Sequence, residues 1–355
     1  MIIKSANFVP CEMPLADATW RFAQGAIPVN RGYIVCLESD DGSVGYGYAQ
    51  AFQQKGTVFE ALLPLLQRFA PLIVGTDPLD IETALAAMDR SLNGAAPVKA
   101  AFDCAMHDLA AKRLGVPLHK LLGGKVRDTI PMMRILALKS PEETAQQAVA
   151  LVEEGYRHLK IKVDGDIDRD VARVREVRKA VGDDIGLIVD ANMAYTVKQA
   201  IRAINRMAEY GLEIAEQPVP AADLNGLEQV TRAVPVAVEA DESASSVDAV
   251  LTLVANRIVD SVNLKIPPLG GLRNTLAAVR VCEAANMPCR LGASFCSQIL
   301  QAQAMHLAAA MPSLGYACEL SEFIHFQNDP FSGLTVSGGL LTVSDEPGSS
   351  VAFQG

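Results

Sequence analysis

The alternation of apolar and polar positions divides the chain into two regimes that meet near residue 129. In the first regime residues 2–9 alternate weakly, as a strand does. Tyr33–Ser39 and residues 44–49 are β-rich runs on either side of Asp40-Asp41-Gly42-Ser43, which predicts a hairpin closed by an Asp-Gly turn. Near 57–72, 78–92 and 97–114 apolar residues recur at three and four, which predicts three helices. Gly123-Gly124 ends this section. Strands grouped first and helices grouped after them indicate an α+β unit.

From residue 129 onward, short apolar runs alternate with helical stretches. The runs end at Leu136, Lys162, Asp190, Glu216, Asp241, Lys265, Ser294 and Glu319. From Lys162 the intervals between ends are 28, 26, 25, 24, 29 and 25 residues. A strand, a loop, a helix and a return loop fill about that length, and eight such units close a parallel (β/α)8 barrel. The period is structural, with no sequence repeat across it. Residues 326–355 hold glycine-separated β-like runs that are expected to fold back onto the first unit. The expected division is 1–125, 126–325 and 326–355. The 355 residues leave room for a barrel of about 250 and a second domain of roughly a hundred.

Charge collects where the apolar runs end. The second run closes in Lys160-Ile161-Lys162, the third in Asp190-Ala191-Asn192, the fourth in Glu216, the fifth in Asp241 and the sixth in Lys265. Charges inside a barrel are costly unless paired or bound to metal. Five successive strands ending in charge place those groups on the carboxyl-terminal rim, where barrels of this kind carry their active sites. Asp190, Glu216 and Asp241, on three adjacent strands, would repel one another without a cation. A hard divalent ion resolves this, and Mg²⁺ suits a site that leaves positions open for substrate oxygens. Any one of the three alone reads as a surface carboxylate at a loop start.

Lys160 and Lys162 share a strand face, so each is expected to disfavour a proton on the other and lower the pKa of whichever acts as base. Lys265 lies four strands further round and faces them across the opening. By itself Lys-x-Lys is an ordinary solvated strand face. Combined with Lys265 and the carboxylates it points to proton transfer next to a carboxylate, where a bound Mg²⁺ stabilises the enediolate that forms.

Composition adds boundaries. Half the residues are apolar, and the net charge of −10 is spread along the chain with no basic run, which argues against nucleic acid or a membrane surface as partner. Seven cysteines without metal-site spacing indicate free thiols in a reducing compartment. Met-Ile-Ile-Lys does not resemble a signal peptide, and no apolar run approaches the roughly 20 residues of a membrane span. A soluble, cytoplasmic protein is expected.

These residues resemble the enolase superfamily, in its muconate-lactonizing subgroup, over nearly the whole chain. Ala101-Phe102-Asp103-Cys104-Ala105-Met106-His107-Asp108-Leu109 is similar to the last helix of that family's cap. Leu114-Gly115-Val116-Pro117-Leu118 and Leu121-Leu122-Gly123-Gly124 are similar to its linker into the barrel. Lys160-Ile161-Lys162, Asp190, Glu216, Asp241 and Lys265 match the subgroup's pattern. The resemblance implies an α/β protein, a modified TIM-type (β/α)7–8 barrel with an N-terminal α+β capping domain completed by the C-terminal tail. It implies Mg²⁺, with Mn²⁺ as a substitute, held by Asp190, Glu216 and Asp241. Lys162 and Lys265 would be the acid/base pair, assisted by Lys160, and the protein would be a homo-oligomer. A lysine base working with Mg²⁺ is that superfamily's known solution. The mandelate-racemase subgroup places a histidine at strand seven, whereas here the segment reads Leu291-Gly292-Ala293-Ser294-Phe295. Of the five histidines, His306 lies in a helical run and reads as core or surface.

The expected substrate is a small carboxylate. Opposed lysines suit racemisation or epimerisation, most simply of an amino-acid derivative with an acylated or proline-type nitrogen. Dehydration of a hydroxylated amino acid such as a hydroxyproline, muconate-type cycloisomerisation, and a non-catalytic carboxylate-binding homologue are the alternatives. Relatives that epimerise dipeptides carry Asp-x-Asp at strand eight, where this chain has Glu319-Leu320-Ser321, a departure from that reaction's pattern. The candidate substrate contacts are Trp20, Arg134, Asn192, Ser294 and Glu319. Loops near 16–26 (Trp20, Phe22) and 49–56 (Phe52, Lys55) are expected over the barrel mouth. Arg134 is expected to pair with a metal-site neighbour or with the substrate carboxylate. Glu319 reads either as a contact to a cationic nitrogen or as the acid that opens a helix.

Overall fold

The computed structural model describes residues 2–52, 56–292 and 295–355. Lys55 and Ser294, both singled out above, lie outside them. Strands β1 (Ile3–Pro14), β2 (Val29–Ser39) and β3 (Val44–Ala51) form an antiparallel sheet in chain order. The β2–β3 turn is the expected hairpin, with the Asp41 carboxylate accepting from the Ser43 amide at 3.0 Å. Helices α1 (Phe59–Ile73) and α3 (Ala96–Arg113) pack on this sheet, and α2 (Ile81–Ser91) packs against both helices. The approach of α3 to β3 requires glycine, because a Cβ at Gly47 would overlap the Ala101 carbonyl. Val98 to Ala111 of α3 are all buried, so its charges need internal partners. Asp108 accepts from the Tyr46 amide at 2.9 Å and the Ser349 amide at 2.6 Å, which joins the sheet to the tail.

After β4 (Thr129–Pro131) the barrel strands follow: β5 (Met133–Leu136), β6 (His158–Lys162), β7 (Gly186–Asp190), β8 (Leu212–Glu216), β9 (Ala237–Ala240), β10 (Ser261–Leu264) and β11 (Cys289–Leu291). They form one parallel seven-stranded sheet in chain order. An eighth segment closes the curl. Cys318 bridges Met132 in parallel, the Met133 amide donates to its carbonyl at 2.8 Å, and the Glu319 amide donates to Leu291 O at 3.0 Å. The contact is too short to extend the ladder, so the barrel has seven regular strands and one minimal closing strand.

The crossover helices are α4 (Pro141–Glu153), α5 (Ile167–Val181), α6 (Val197–Ala208), α7 (Leu224–Ala233), α8 (Val247–Ala255), the short α9 (Ile266–Leu269), α10 (Leu272–Ala284) and α11 (Gln298–Ala310). Five starts carry a side-chain cap: Ser140 and Thr196 in reciprocal capping boxes, and Asp166, Asp223 and Ser246. Each cap fixes where the rim loop ends. The tail adds β12 (Phe331–Ser332), β13 (Val336–Ser337), β14 (Leu340–Thr342) and β15 (Ala352–Phe353). β14 pairs with β4, and the Phe331 and Phe353 rings sit 5.4 and 5.2 Å from that of Tyr46. Among the described residues no helix is long and apolar enough to cross a membrane.

Candidate active site

Strand alternation builds the site in layers. Met133, Ile188, Ile214 and Ala317 form an apolar cluster inside the barrel. Two residues further along their strands, on the same face, stand Ile135, Asp190, Glu216 and Glu319. The apolar layer is the floor and the polar layer is the rim. Parallel register aligns Lys162 with Asp190 and Asp190 with Glu216. Asp241 and Lys265 lie one residue beyond β9 and β10.

The rim is a dense ion network. Lys160 Nζ lies 3.0 Å from Asp190, 2.7 Å from Glu216 and 2.8 Å from Glu319. Lys162 Nζ donates to Asp190 at 2.6 Å and to Asn192 Oδ1 at 2.9 Å, and Lys265 Nζ donates to Asp241 at 2.5 Å. All these side chains are buried. Burial opposes the charge on Lys160, but Asp190, Glu216 and Glu319 outweigh it and hold the ammonium well above its ordinary pKa. For Lys160 the three carboxylates therefore decide the charge state. Burial and then the Asp190 charge push Glu216 up to about 8, against the pull of Lys160 and Arg290. Asp190 is held low: burial is overcome by Lys160 and Lys162. Among the described residues no three carboxylates, imidazoles or thiols form a ready metal-binding group. Ammonium groups stand between the carboxylates instead.

The cap supplies the opposite wall. Trp20, Phe22, Ile27 and Phe52 line the pocket together with Ile135, Phe295, Lys160, Lys162, Asn192, Asp241, Lys265 and Glu319. The cavity between them is ≈ 40 Å³. Trp20 lies 4.4 Å from the Phe295 ring, and Lys162 Nζ stands 5.8 Å from the Phe22 centroid. Among the described residues the buried indole N–H of Trp20 has no acceptor. Phe22, expected over the barrel mouth, faces the lysines.

Thus Lys160, Lys162, Lys265, Asp190, Glu216, Asp241, Trp20, Asn192 and Glu319 are brought to one place. Arg134 is not among them. It faces away from the pocket and pairs with Glu322 at 3.0 Å, over the Tyr156 ring and beside His325, so its expected role at the substrate is corrected. The reason is parity on β5: Ile135 points inward and its neighbour outward. Glu319 opens no helix. It is fully buried, shared by Lys160 and Arg290, and held low because these two cations outweigh its burial.

Sequence reasoning missed Arg290, Glu239 and Phe295. The signal for the first was present, since Arg290 stands inside the apolar run Met287-Pro288-Cys289-Arg290-Leu291. Phe295 adopts a positive φ of 41°, which no pattern announces.

Comparisons with known proteins agree with this architecture. Residues 11–123 match the mandelate racemase / muconate lactonizing enzyme N-terminal domain, and residues 143–354 match the enolase C-terminal domain-like family. The chain is 36% identical over 335 residues to a hydrophobic dipeptide epimerase of Enterococcus faecalis, covering 94% of each. It is 36% identical over 253 residues to a chloromuconate cycloisomerase of Delftia acidovorans, covering 71% of this chain and 68% of that one. A solved structure of the dipeptide epimerase from Enterococcus faecalis, complexed with Mg and the dipeptide L-Leu-L-Tyr, superposes with a TM-score of 0.95 at 34% identity, over 99% of this chain and 100% of that one. With the two family models together matching most of the chain and the lysines and carboxylates gathered on one barrel rim, the chain is an enzyme of the enolase superfamily, in the muconate-lactonizing group.

Proposed function

We propose that the protein epimerises or racemises a small amino-acid derivative by moving the proton next to its carboxylate. The observation that carries this reading is the placement of Lys162 on β6 and Lys265 beyond β10, on opposite sides of one pocket. The similarity to a dipeptide epimerase supports it from outside.

Asp190, Glu216 and Asp241 are the residues that would hold Mg²⁺. They fit it: all are oxygen donors, and all are buried on adjacent strand ends. Mn²⁺ suits the same donors. When bound, the ion supplies positive charge against the substrate carboxylate, which makes the neighbouring proton more acidic. The chain's own groups do the rest. One lysine, neutral at that moment, accepts the α-proton through its Nζ from one face. The other, as an ammonium, returns a proton from the opposite face, and the configuration inverts. Lys160 adds fixed positive charge beneath them. Trp20, Phe22, Phe52 and Phe295 exclude water and receive an apolar substituent. Because the cavity is ≈ 40 Å³, the cap wall moves outward to admit substrate.

The test is incubation with Mg²⁺ in D₂O and pooled dipeptides, N-acyl amino acids, proline and hydroxyproline derivatives and muconate, followed by NMR. Loss of one α-proton signal with an unchanged skeleton is the expected result. A new alkene or keto product would instead identify an elimination, and a lactone a cycloisomerisation. Lys162→Ala and Lys265→Ala are each expected to lower kcat for inversion by about 10²–10⁴-fold. Each should retain exchange on the enantiomer whose proton faces the remaining lysine. No exchange in any pool would sink the proposal.

A further inference from the structure

We propose that Arg290 is a positioning residue for this reaction, holding Glu216 and Glu319 from inside the barrel and fixing Lys160 through them. The inference rests on the reading of Lys160 and Glu216 as part of the reacting site.

Arg290 lies on β11 with no exposed surface, and does not line the pocket. Its planar guanidinium reaches three carboxylates from three strands. Nε donates to Glu239 Oε2 at 3.0 Å, Nη1 to Glu319 Oε1 at 2.8 Å, and Nη2 to Glu216 Oε2 and Glu239 Oε2, both at 2.7 Å. Glu239 is in turn held by Ser261 Oγ at 2.8 Å. One glutamate would neutralise one arginine, so Glu239 suffices for charge balance and the two further contacts go beyond it.

Those two contacts fall on particular atoms. Lys160 Nζ meets Glu216 at Oε2, 2.7 Å away, and Glu319 at Oε1, 2.8 Å away. These are the oxygens to which Arg290 donates. Each therefore lies between the guanidinium and the ammonium, and Arg290 and Lys160 are coupled through two shared atoms. Asn263 Nδ2 takes the other oxygen of Glu216 at 3.1 Å. A guanidinium fork sets the direction of both carboxylates at once, which a lysine point charge cannot do. Stability does not account for the arrangement, because replacing a buried ion pair by apolar side chains of similar size is often neutral or stabilising.

The test compares wild type with the charge-balanced double variant Arg290→Met/Glu239→Met and with Arg290→Lys. Thermal unfolding reads the fold, calorimetry with Mg²⁺ alone reads the metal site, and steady-state kinetics on the substrate found by exchange reads catalysis. The double variant is expected to fold, with Mg²⁺ affinity and kcat each lower by about 10–100-fold, the usual cost of losing an outer partner of a metal site. KM should change far less than kcat. Arg290→Lys keeps the charge without the fork and should recover only part of the loss. A folded double variant with wild-type Mg²⁺ affinity and kcat would overturn the proposal and leave Arg290 structural. Where the double variant does not fold, wild-type kcat and Mg²⁺ affinity in Arg290→Lys would overturn it equally. A wild-type protein that exchanges no α-proton would defeat the proposed function, while the Mg²⁺ titrations would still report on Arg290.

Discussion

The barrel side of the pocket and the cap side are both buried, yet they are held in opposite ways. On the barrel side each functional group leaves a strand whose neighbours are bonded in register, and each charge has a partner at 2.5–3.0 Å. On the cap side Trp20, Phe22 and Ile27 belong to the segment between β1 and β2. Polar contacts that tie that segment to the barrel include Ala16 N–H to His325 O at 2.8 Å, Leu138 N–H to Arg21 O at 2.9 Å, Lys139 Nζ to Asp17 Oδ2 at 3.2 Å and Gln24 Nε2 to Asn192 O at 3.3 Å. Groups that move protons need fixed geometry, and groups that select a side chain must yield to admit it. The difference separates the two tasks by rigidity.

The comparison is sharpened most strongly by Ile214→Ala. Ile214 has no exposed surface and belongs to the floor under the ion layer. Its truncation should cost about 2–5 kcal/mol of stability, measured by denaturant unfolding. Phe22→Ala on the cap side should cost much less stability and act on KM. Equal costs would mean that the cap wall is as fixed as the barrel wall.

Acid should loosen the barrel side by a comparable amount. His306 on α11 is buried, its ring 5.4 Å from His119 and its Nε2 3.2 Å from Ser350 Oγ. Burial and then the His119 charge lower its pKa from 6.5 to about 4. The unfolded chain therefore takes up this proton first. Its contribution is fully present above pH 6.5 and is lost as the pH falls toward 4, by about 3 kcal/mol. Unfolding midpoints measured across that window should fall steeply in wild type and less steeply in His306→Gln. Parallel slopes would remove His306 from the account.

The smallest effect is expected at Trp20→Phe, which keeps a ring against Phe295 and removes an indole N–H that has no acceptor among the described residues. If that donor meets the substrate, KM should rise by about 10-fold with kcat little changed. An unchanged KM would make the cap wall purely apolar.

Much of the rim was legible beforehand because period and residue type are local. Strand ends at Leu136, Lys162, Asp190 and Glu216 coincide with the observed ends of β5 to β8. Lys160 and Lys162 share a face because alternate strand residues must. Arg134 and Glu319 were read less well for one physical reason. A buried charge announces that it has a partner but not which one, and Glu322 and Arg290 are 188 and 29 residues away in the chain.

Sequence alone determined the alternation of strand and helix, the α+β section before it, and the lysines and carboxylates that end successive strands. Tertiary structure alone decided that seven strands pair regularly while an eighth only bridges, and that an arginine inside the barrel shares oxygens with Lys160. It also decided that the cap aromatics close over the lysines. The first set follows from forces between neighbours a few positions apart. The second depends on closing the chain on itself, which brings Lys160 to Glu319 across 159 residues and lets their charges meet out of water.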